Sequence, residues 1–411
     1  MNILFIYYDY YEPNTNAGAL RILEIIKIIQ DRGAKVTMLS MRGNNNQYAQ
    51  YLEKYNICCI ADDGSLTKSS FAGFRRFLAI NKFDIAILSD CGIYIHYAPS
   101  MRKFCPGCKI VFDTIDLKSV RFARKAVIDR KILTRIKSFL ISVEEKQAFW
   151  DADRIWVVID DERNIIQEKL GLGYKTDVIP TIHIPEKQFA SWKERRGIIF
   201  LGGYKHIPNV DAIRDFMTRV FPLIRRELPD VPFTIAGSYP PQDFFSYHTK
   251  DPLVNVTGFI ENHRELLLIN RIGVAPLRYG AGIKGKIGEY LACGLPCVAS
   301  SSGAEGMGFR DRVDIMIADS PEEFARKTID LYQNQELWDK ISTNGIKYIS
   351  QRLSVEAIKP TVVSSFEMLE NVSLYKRKDH YFSKASNRAV ANIFSRVKTL
   401  AKELNKYSTK Q

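Results

Sequence analysis

A glycine-rich turn with two lysines and a glutamate is the part of the sequence best suited to chemistry. Glycines let the backbone approach a ligand closely, and Lys286 adds positive charge at the same place. Glu289 follows Lys286 by three residues, so a helix would put both side chains on one face. We predict a diphosphate site at the turn, with the carboxylate accepting hydrogen bonds from ribose hydroxyls. The alternative is a solvated helix whose Lys and Glu form a weak pair. The set is Gly280, Gly282, Lys284, Gly285, Lys286 and Glu289.

The turn is expected to lie between a strand and a helix. The apolar run Gly273–Pro276 predicts the strand, and the helix is expected over Ile283–Cys293, ending at Gly294. A helix that begins here directs its unbonded N–H groups and its partial positive charge at the turn. Such a terminus, with lysines beside it, is suited to phosphate.

Short apolar runs alternate with amphipathic stretches along most of the chain, in two successive sets. This alternation predicts an α/β protein with two Rossmann-like, doubly wound parallel-sheet domains facing a cleft. Ligands of such sheets bind outside the carboxyl ends of the strands. The polar segment Pro180–Arg196 is the expected linker, with the boundary near residue 185. The first strands are Asn2–Tyr8, Lys35–Met41, Ile57–Ala61, Asp84–Leu88, Lys109–Thr114, Arg154–Ile159 and Thr176–Ile179. The second are Gly197–Leu201, Pro232–Ala236, Val254–Thr257, Gly273–Pro276, Pro296–Ala299 and Asp314–Ile317.

The distribution of charge argues against a nucleic-acid partner. The chain carries 59 Lys and Arg against 46 Asp and Glu, a net charge of +13. From Asn371 to the end there are ten basic and two acidic residues, a local charge of +8. The rest of the chain is therefore only mildly basic, which favours a local surface function.

The seven cysteines lie mostly in apolar runs, which indicates free thiols in a reducing compartment. Cys105-Pro-Gly-Cys108 has the spacing of a redox or zinc site, but the second pair that zinc needs is absent. A plain loop before the next strand is expected there, with a redox role as the alternative. No apolar run approaches the ~18–20 residues of a membrane span, so we expect a cytoplasmic protein.

The stretch Ala275–Met307 resembles the signature region of GT-B glycosyltransferases, in the large retaining family of glycosyl transferases group 1. The likeness rests on the glycine-rich turn, the Lys three residues before a Glu, the Ala-Cys-Gly-Leu-Pro sequence at 292–296 and the Gly-Ala-Glu-Gly sequence at 303–306. It implies that Glu289 binds the nucleotide ribose. Lys286 and the loop amides would hold the diphosphate, where Lys284 adds a further positive charge at the same helix end. The backbone amides of Gly282 and Ile283 remain to hold the sugar. Many members also have a Glu eight positions before the ribose-binding one, where this chain has Ala281.

Other stretches extend the resemblance over most of residues 1–370. Gly18, expected in the loop after the first strand, corresponds to the family's glycine near the donor phosphates. Gly203 opens the second domain as in family members, and Lys205 is a candidate phosphate ligand where many members carry Arg and a later Lys. Phe112–Leu117 resembles a motif that ends in Asp-Leu-His, with Lys118 in place of the His. Asp116 is then a candidate catalytic or acceptor-orienting group, or else a cap for the next helix.

The resemblance implies an acceptor domain at 1–185 and a nucleotide-sugar domain at 186–355, then a helix in 356–375 returning to the first domain. A basic amphipathic tail follows at 376–411. Apolar residues at helical spacing predict a helix over Asn387–Tyr407, which binds an anionic membrane surface or docks on protein. The basic segment Lys118–Lys137 is also predicted to be an amphipathic helix. It would lie on an anionic membrane, line an acceptor site, or pack on its own domain with its basic face in solvent.

Together these features predict a glycosyltransferase at the inner face of the membrane. It would move a sugar from a nucleoside diphosphate sugar to a surface polysaccharide or lipid-linked glycan, with retention and with neither cofactor nor metal. Because Ala281 and Lys118 replace two usual side chains, a catalytically degenerate binding module is one alternative. A sugar-nucleotide epimerase of the same fold is another.

Overall fold

The computed structural model describes residues 1–10, 17–42, 46–62, 66, 68–130, 132–280 and 283–371. Within these ranges the strands form two parallel sheets, as predicted. The first contains β1 Asn2–Tyr7, β2 Lys35–Ser40, β3 Ile57–Ala61, β4 Ile85–Ser89, β5 Lys109–Asp113, β6 Arg154–Val157 and β7 Thr176–Val178. The second contains β8 Ile198–Leu201, β9 Phe233–Ala236, β10 Val254–Gly258, β11 Ile272–Ala275, β12 Cys297–Ala299 and β13 Met316–Ile317.

Both sheets have a doubly wound strand order. The first runs β3-β2-β1-β4-β5-β6-β7 and the second β10-β9-β8-β11-β12-β13 in the described chain. In β1, Leu4 and Ile6 pack into one core, while Ile3 and Phe5 pack into the core on the opposite face. Both faces of this strand are thus buried, which is why it reads as a continuous apolar run.

Helices cover the faces of both sheets. In the first domain they are α1 Ala17–Gln30, α2 Asn46–Glu53, α3 Lys68–Ile80, α4 Cys91–Phe104, α5 Lys118–Asp129, α6 Ile132–Asp151 and α7 Asp160–Leu170. After the linker come α8 Ile207–Asp215, α9 Phe221–Glu227, α10 Phe245–Lys250, α11 His263–Ile269, α12 Gly285–Ala292, α13 Ser301–Ala304, α14 Pro321–Gln333, α15 Gln335–Arg352 and α16 Val355–Glu370.

The last described helix, α16, packs on the first sheet. Its apolar side chains Ile358, Val362, Phe366 and Leu369 share a core with β1. Ser365 links two strands of that sheet, because its hydroxyl accepts from Trp156 at 2.8 Å and donates to Asp177 at 2.6 Å. Because α16 follows the second domain in the sequence but packs on the first sheet, we propose that it crosses back to the first domain. We also propose a domain boundary near residue 185.

Two local predictions differ from the structure. The basic segment Lys118–Lys137 is not one helix, because Arg130 adopts a left-handed conformation with φ 52° at the end of α5. Gly18 lies in the first turn of α1 rather than in a loop.

No helix in the described ranges has the length and apolar character needed to cross a bilayer.

Candidate active site

The two domains enclose a cleft of about 800 Å³ at the carboxyl ends of their sheets. The structure brings the predicted site residues together here, although they come from distant parts of the sequence. Gly282 and Ala281 lie outside the described residues. The predicted residues that line the cleft are Gly18, Asp116, Gly203, Lys205, Ile283, Lys284, Lys286 and Glu289.

The amino termini of α1 and α12 face each other across this cleft. A Cβ atom on Gly285 would lie 2.4 Å from the Cβ of Ala17, so the two helix starts approach closely only because residue 285 is glycine. Both termini present unbonded N–H groups and a partial positive charge. An anion placed between them would interact with both helices at once.

Lys284 and Lys286 place two desolvated ammonium groups near the amino terminus of α12. The Lys286 ammonium donates to the Asn209 side-chain oxygen at 2.7 Å and lies 3.8 Å from the centre of the Phe200 ring. Burial lowers the pKa of Lys286 to about 7. Burial also lowers the pKa of Lys284 to about 8, although the carboxylate of Glu305 opposes the shift. A bound diphosphate would raise both pKa values, so the site is electrostatically prepared for an anion.

His206 also lines this positively charged region of the cleft, although no pattern in the sequence indicated it. Desolvation lowers its pKa to about 4, and the charges of Arg121, Lys286 and Lys284 lower it further. A neutral imidazole is therefore expected here at physiological pH. Lys205 is exposed and lies at the cleft, with its ammonium 3.6 Å from the centre of the Tyr239 ring.

Glu289, three residues after Lys286 on α12, is held as a carboxylate. Its Oε1 accepts from His183 Nδ1 at 2.8 Å, and its Oε2 accepts from Arg264 at 3.3 Å. Burial opposes ionisation, but the hydrogen bond from His183, the nearby His263 ring and the charge of Arg264 hold the pKa of Glu289 well below its usual range. Glu289 is thus an acceptor only, as binding of ribose hydroxyls requires.

Asp116 lies on the first-domain wall of the cleft. Its carboxylate pairs with Arg121 at 2.5 Å, and burial raises its pKa although Arg121 and Lys118 oppose the shift. Lys118, at the position where the resembling motif has His, instead forms an ion pair with Asp90. The first turns of α5 therefore place two basic side chains beside the acidic groups Asp90 and Asp116.

Arg124, also on α5, reaches the second domain. Its guanidinium donates to Glu305 at 2.5 Å and to the Gly280 carbonyl at 3.0 Å. These contacts join α5 to the glycine-rich turn. The sequence did not indicate this contact, because its partners are far apart along the chain.

A buried ion pair supports the first-domain side of the cleft. Arg21, which lines the cleft, pairs with Asp113 at 2.9 Å and donates to the Ile179 carbonyl at 2.9 Å. Asp113 also accepts from the hydroxyls of Tyr7 and Ser89, each at 3.2 Å. Removing either member of such a pair would leave an uncompensated buried charge.

Among the described residues, no group of three or more His, Cys, Asp or Glu side chains is arranged to hold a metal ion. All seven cysteines are free thiols, as predicted. Cys105 and Cys108 belong to a turn outside the cleft, where a hydrogen bond from Cys108 lowers the pKa of Cys105 to about 6.

Residues 195–334 match the family model described as glycosyl transferases group 1. The matched residues cover most of the second domain. The "uncharacterized 44.6 kDa protein in cps region" of Klebsiella pneumoniae is 22% identical over 368 residues, which covers 82% of this chain and 93% of that protein. Anabaena HepE, solved with UDP and glucose, superposes with a TM-score of 0.67 at 15% identity, covering 90% of this chain and all of the other. Sucrose-phosphate synthase of Thermosynechococcus elongatus gives 0.67 at 14% identity, with the same coverage.

The predicted two-domain GT-B fold is confirmed by the similarity to these solved structures, and residues 195–334 are similar to group 1 glycosyltransferases. The glycine-rich turn, α12 and Glu289 all lie inside the matched range of group 1 glycosyltransferases. The role of each site residue, the acceptor and the stereochemical outcome stay predictions.

Proposed function

We propose that the chain transfers a sugar, with retention, from a nucleoside diphosphate sugar to a surface polysaccharide or lipid-linked glycan. The observation that carries this proposal is the convergence of two helix termini with Lys284 and Lys286, in the same cleft as the Glu289 carboxylate. The cations would hold the diphosphate, and Glu289 would hold the ribose. The reaction would take place in the cytoplasm, beside the membrane.

The same groups would assist the departure of the nucleotide. As the bond between the anomeric carbon and the diphosphate oxygen breaks, the diphosphate takes the electron pair, and pre-organised cations and helix amides stabilise the developing charge. The acceptor oxygen then bonds to the anomeric carbon and gives up its proton. Asp116 is the candidate to receive that proton or to orient the acceptor, because it lines the cleft and burial raises its pKa.

The comparisons support a uridine nucleotide as the first donor to test and a surface glycan as the first acceptor. HepE is described in complexes with UDP and with UDP-glucose, and the relative from Klebsiella pneumoniae is described as a protein of a cps region.

The direct test is release of free nucleotide from a panel of UDP-sugars and GDP-sugars, with and without glycan acceptors. We expect one donor to be consumed faster when the correct acceptor is present, and the anomeric configuration of the product to be read by NMR. Lys286→Ala serves as the impaired control. Binding of a nucleotide sugar without any turnover across the acceptor panel would favour the degenerate binding module instead.

Substitution of Gly285 tests whether the two helix termini cooperate. Gly285→Ala places a methyl group 2.4 Å from the Ala17 Cβ, so the termini must separate, and overpacking of this kind costs about 1–3 kcal/mol. We expect UDP affinity, measured by calorimetry, to fall at least about fivefold. Adding Ala17→Gly removes the clashing atom, since the next contact is the Ala17 Cα at 3.9 Å, and should restore most of the affinity. Unchanged affinity in the single variant would contradict the cooperation.

Membrane association is proposed for the tail, whose residues lie outside the described ranges. Each Lys or Arg near an anionic surface contributes about 1 kcal/mol, and the local charge of +8 after Asn371 is large. In the described part, Val127 is 71%, Ile132 70% and Phe139 66% exposed around the junction of α5 and α6, which adds an apolar surface.

Truncation after Asn371 should therefore abolish co-sedimentation with phosphatidylserine vesicles while UDP binding is unaffected. Raised salt should release the full-length chain only partly, because screening weakens the charges but not the apolar contacts. If the full-length chain does not co-sediment with anionic vesicles, the membrane proposal is wrong.

A further inference from the structure

The carboxylate of Glu289 is enclosed by side chains from the linker and from α11. Its Oε1 accepts from His183 Nδ1 at 2.8 Å, and its Oε2 lies 3.3 Å from Arg264 and 3.7 Å from His263 Nε2. Since a carboxylate can only accept, His183 must donate through Nδ1. Its Nε2 then accepts, when the ring is neutral, from the Thr181 hydroxyl at 3.1 Å.

His183 is fully buried, and a glycine in α12 makes room for it. A Cβ atom at Gly288 would lie 2.2 Å from His183 Nε2. Glycine inside a helix costs about 1 kcal/mol relative to alanine, so its presence here is explained by the imidazole that packs against the helix. His183 therefore acts through Glu289, by fixing the position of Oε1.

Arg264 is also committed to the linker. Its guanidinium donates to Glu186 at 2.7 Å and to the Ile184 carbonyl at 2.7 Å, in addition to its longer contact with Glu289. These bonds fix the Arg264 guanidinium beside the Glu289 carboxylate. They also connect α11 to the linker.

His263 differs from both of these residues because it lines the cleft. Its Nε2 atom is buried and, among the described residues, has no hydrogen-bond partner. The 3.7 Å separation from Glu289 Oε2 is too long for a hydrogen bond, and a buried polar atom without a partner costs about 1–3 kcal/mol. Nε2 and Oε2 are therefore neighbouring atoms that both retain hydrogen-bonding capacity toward a ligand in the cleft.

We propose that His263 is a second ribose-binding residue, with Nε2 contacting one hydroxyl of the ribose diol while Glu289 Oε2 contacts the other. The two atoms are close enough for adjacent hydroxyls of one ribose to reach both. Either tautomer of His263 serves, because a hydroxyl both donates and accepts. This pair selects ribonucleotides over deoxyribonucleotides. The inference rests on the proposed function, since it takes the donor ribose to lie at Glu289.

The test compares variants of His263 with ligands that lack one ribose hydroxyl, in the manner of a double-mutant cycle. Wild type, His263→Ala and His263→Gln are titrated by calorimetry with UDP, 2′-deoxy-UDP and 3′-deoxy-UDP, or with the guanosine series if GDP binds better. We expect His263→Ala to weaken UDP about 3- to 10-fold, the value of one hydrogen bond. For one deoxy analogue, which lacks the hydroxyl that His263 contacts, the same substitution should change nothing. His263→Gln should recover part of the loss, and His248→Ala, on an exposed histidine outside the cleft, should have no effect.

The outcomes separate the inference from the proposed function. An equal loss for UDP and both deoxy analogues in His263→Ala, or no loss for any of them, overturns the role of His263. If wild type binds no nucleoside diphosphate, or if Glu289→Gln leaves UDP affinity unchanged, the proposed donor site itself is wrong.

Discussion

Lys286→Ala is expected to weaken the binding of nucleoside diphosphates by about 10- to 100-fold while it changes nucleoside binding less than about twofold. Hydrogen bonds to charged groups contribute about 1.5–3 kcal/mol, and each 1.4 kcal/mol corresponds to about tenfold in affinity. The Lys286 ammonium lies at the amino terminus of α12, held by Asn209 at 2.7 Å. It is therefore already oriented for phosphate before the ligand binds. Calorimetry with UDP and uridine measures both effects.

Glu289→Gln provides the matched comparison on the same helix. Ribose is present in both nucleoside and nucleoside diphosphate, so this substitution should weaken the two ligands by similar factors. Lys347→Ala, on an exposed position of α15 outside the cleft, should weaken neither. Equal losses for uridine and UDP in Lys286→Ala would indicate a general disturbance of the turn and would contradict the phosphate role.

The fold and the donor-site motif could be predicted because their signals are local. Continuous apolar strands such as β1 identify parallel sheets buried on both faces. The spacing of Lys286 and Glu289 is read within one helix, and both residues line the cleft. Helix ends were less certain, since Lys284 is the N-cap of α12 rather than part of the helix.

Contacts between distant segments could not be predicted in this way. His183 lies 106 residues before Glu289 in the sequence, and Arg124 lies 181 residues before Glu305. Such pairs depend on how the two domains pack, and no local pattern encodes their distance. One signal was available for His183, because Gly288 interrupts an otherwise regular helix and such a glycine usually has a packing reason.

The loop that carries Asp116 is held by two buried carboxylates of the first domain. Glu162, on the first turn of α7, accepts from the backbone N–H groups of Leu117 and Val158, each at 3.1 Å. Glu145, on α6, accepts from the backbone N–H of Ser119 at 3.2 Å. Burial raises the pKa of each carboxyl to about 7, although these hydrogen bonds oppose the shift.

Glu162 should therefore make the stability of the first domain fall as pH rises from about 4.5 to 7. A carboxyl whose pKa is higher in the folded chain than in the unfolded chain binds more protons when folded over this window, so unfolding becomes easier as those protons are lost. A shift from 4.5 to about 7 corresponds to about 3–3.5 kcal/mol of unfolding free energy, at 1.36 kcal/mol per pKa unit.

Glu162→Gln removes this titration while it keeps the size of the side chain. We expect the difference in unfolding free energy between wild type and variant, from urea denaturation at pH 4.5 to 8, to decrease by about 3 kcal/mol across the window and to level off above pH 7. Glu168→Gln, on the exposed side of the same helix, should give an unfolding free energy whose pH dependence is parallel to that of wild type. If Glu162→Gln is also parallel to wild type, Glu162 does not titrate in this range and the loop is held by a carboxylate at every pH tested.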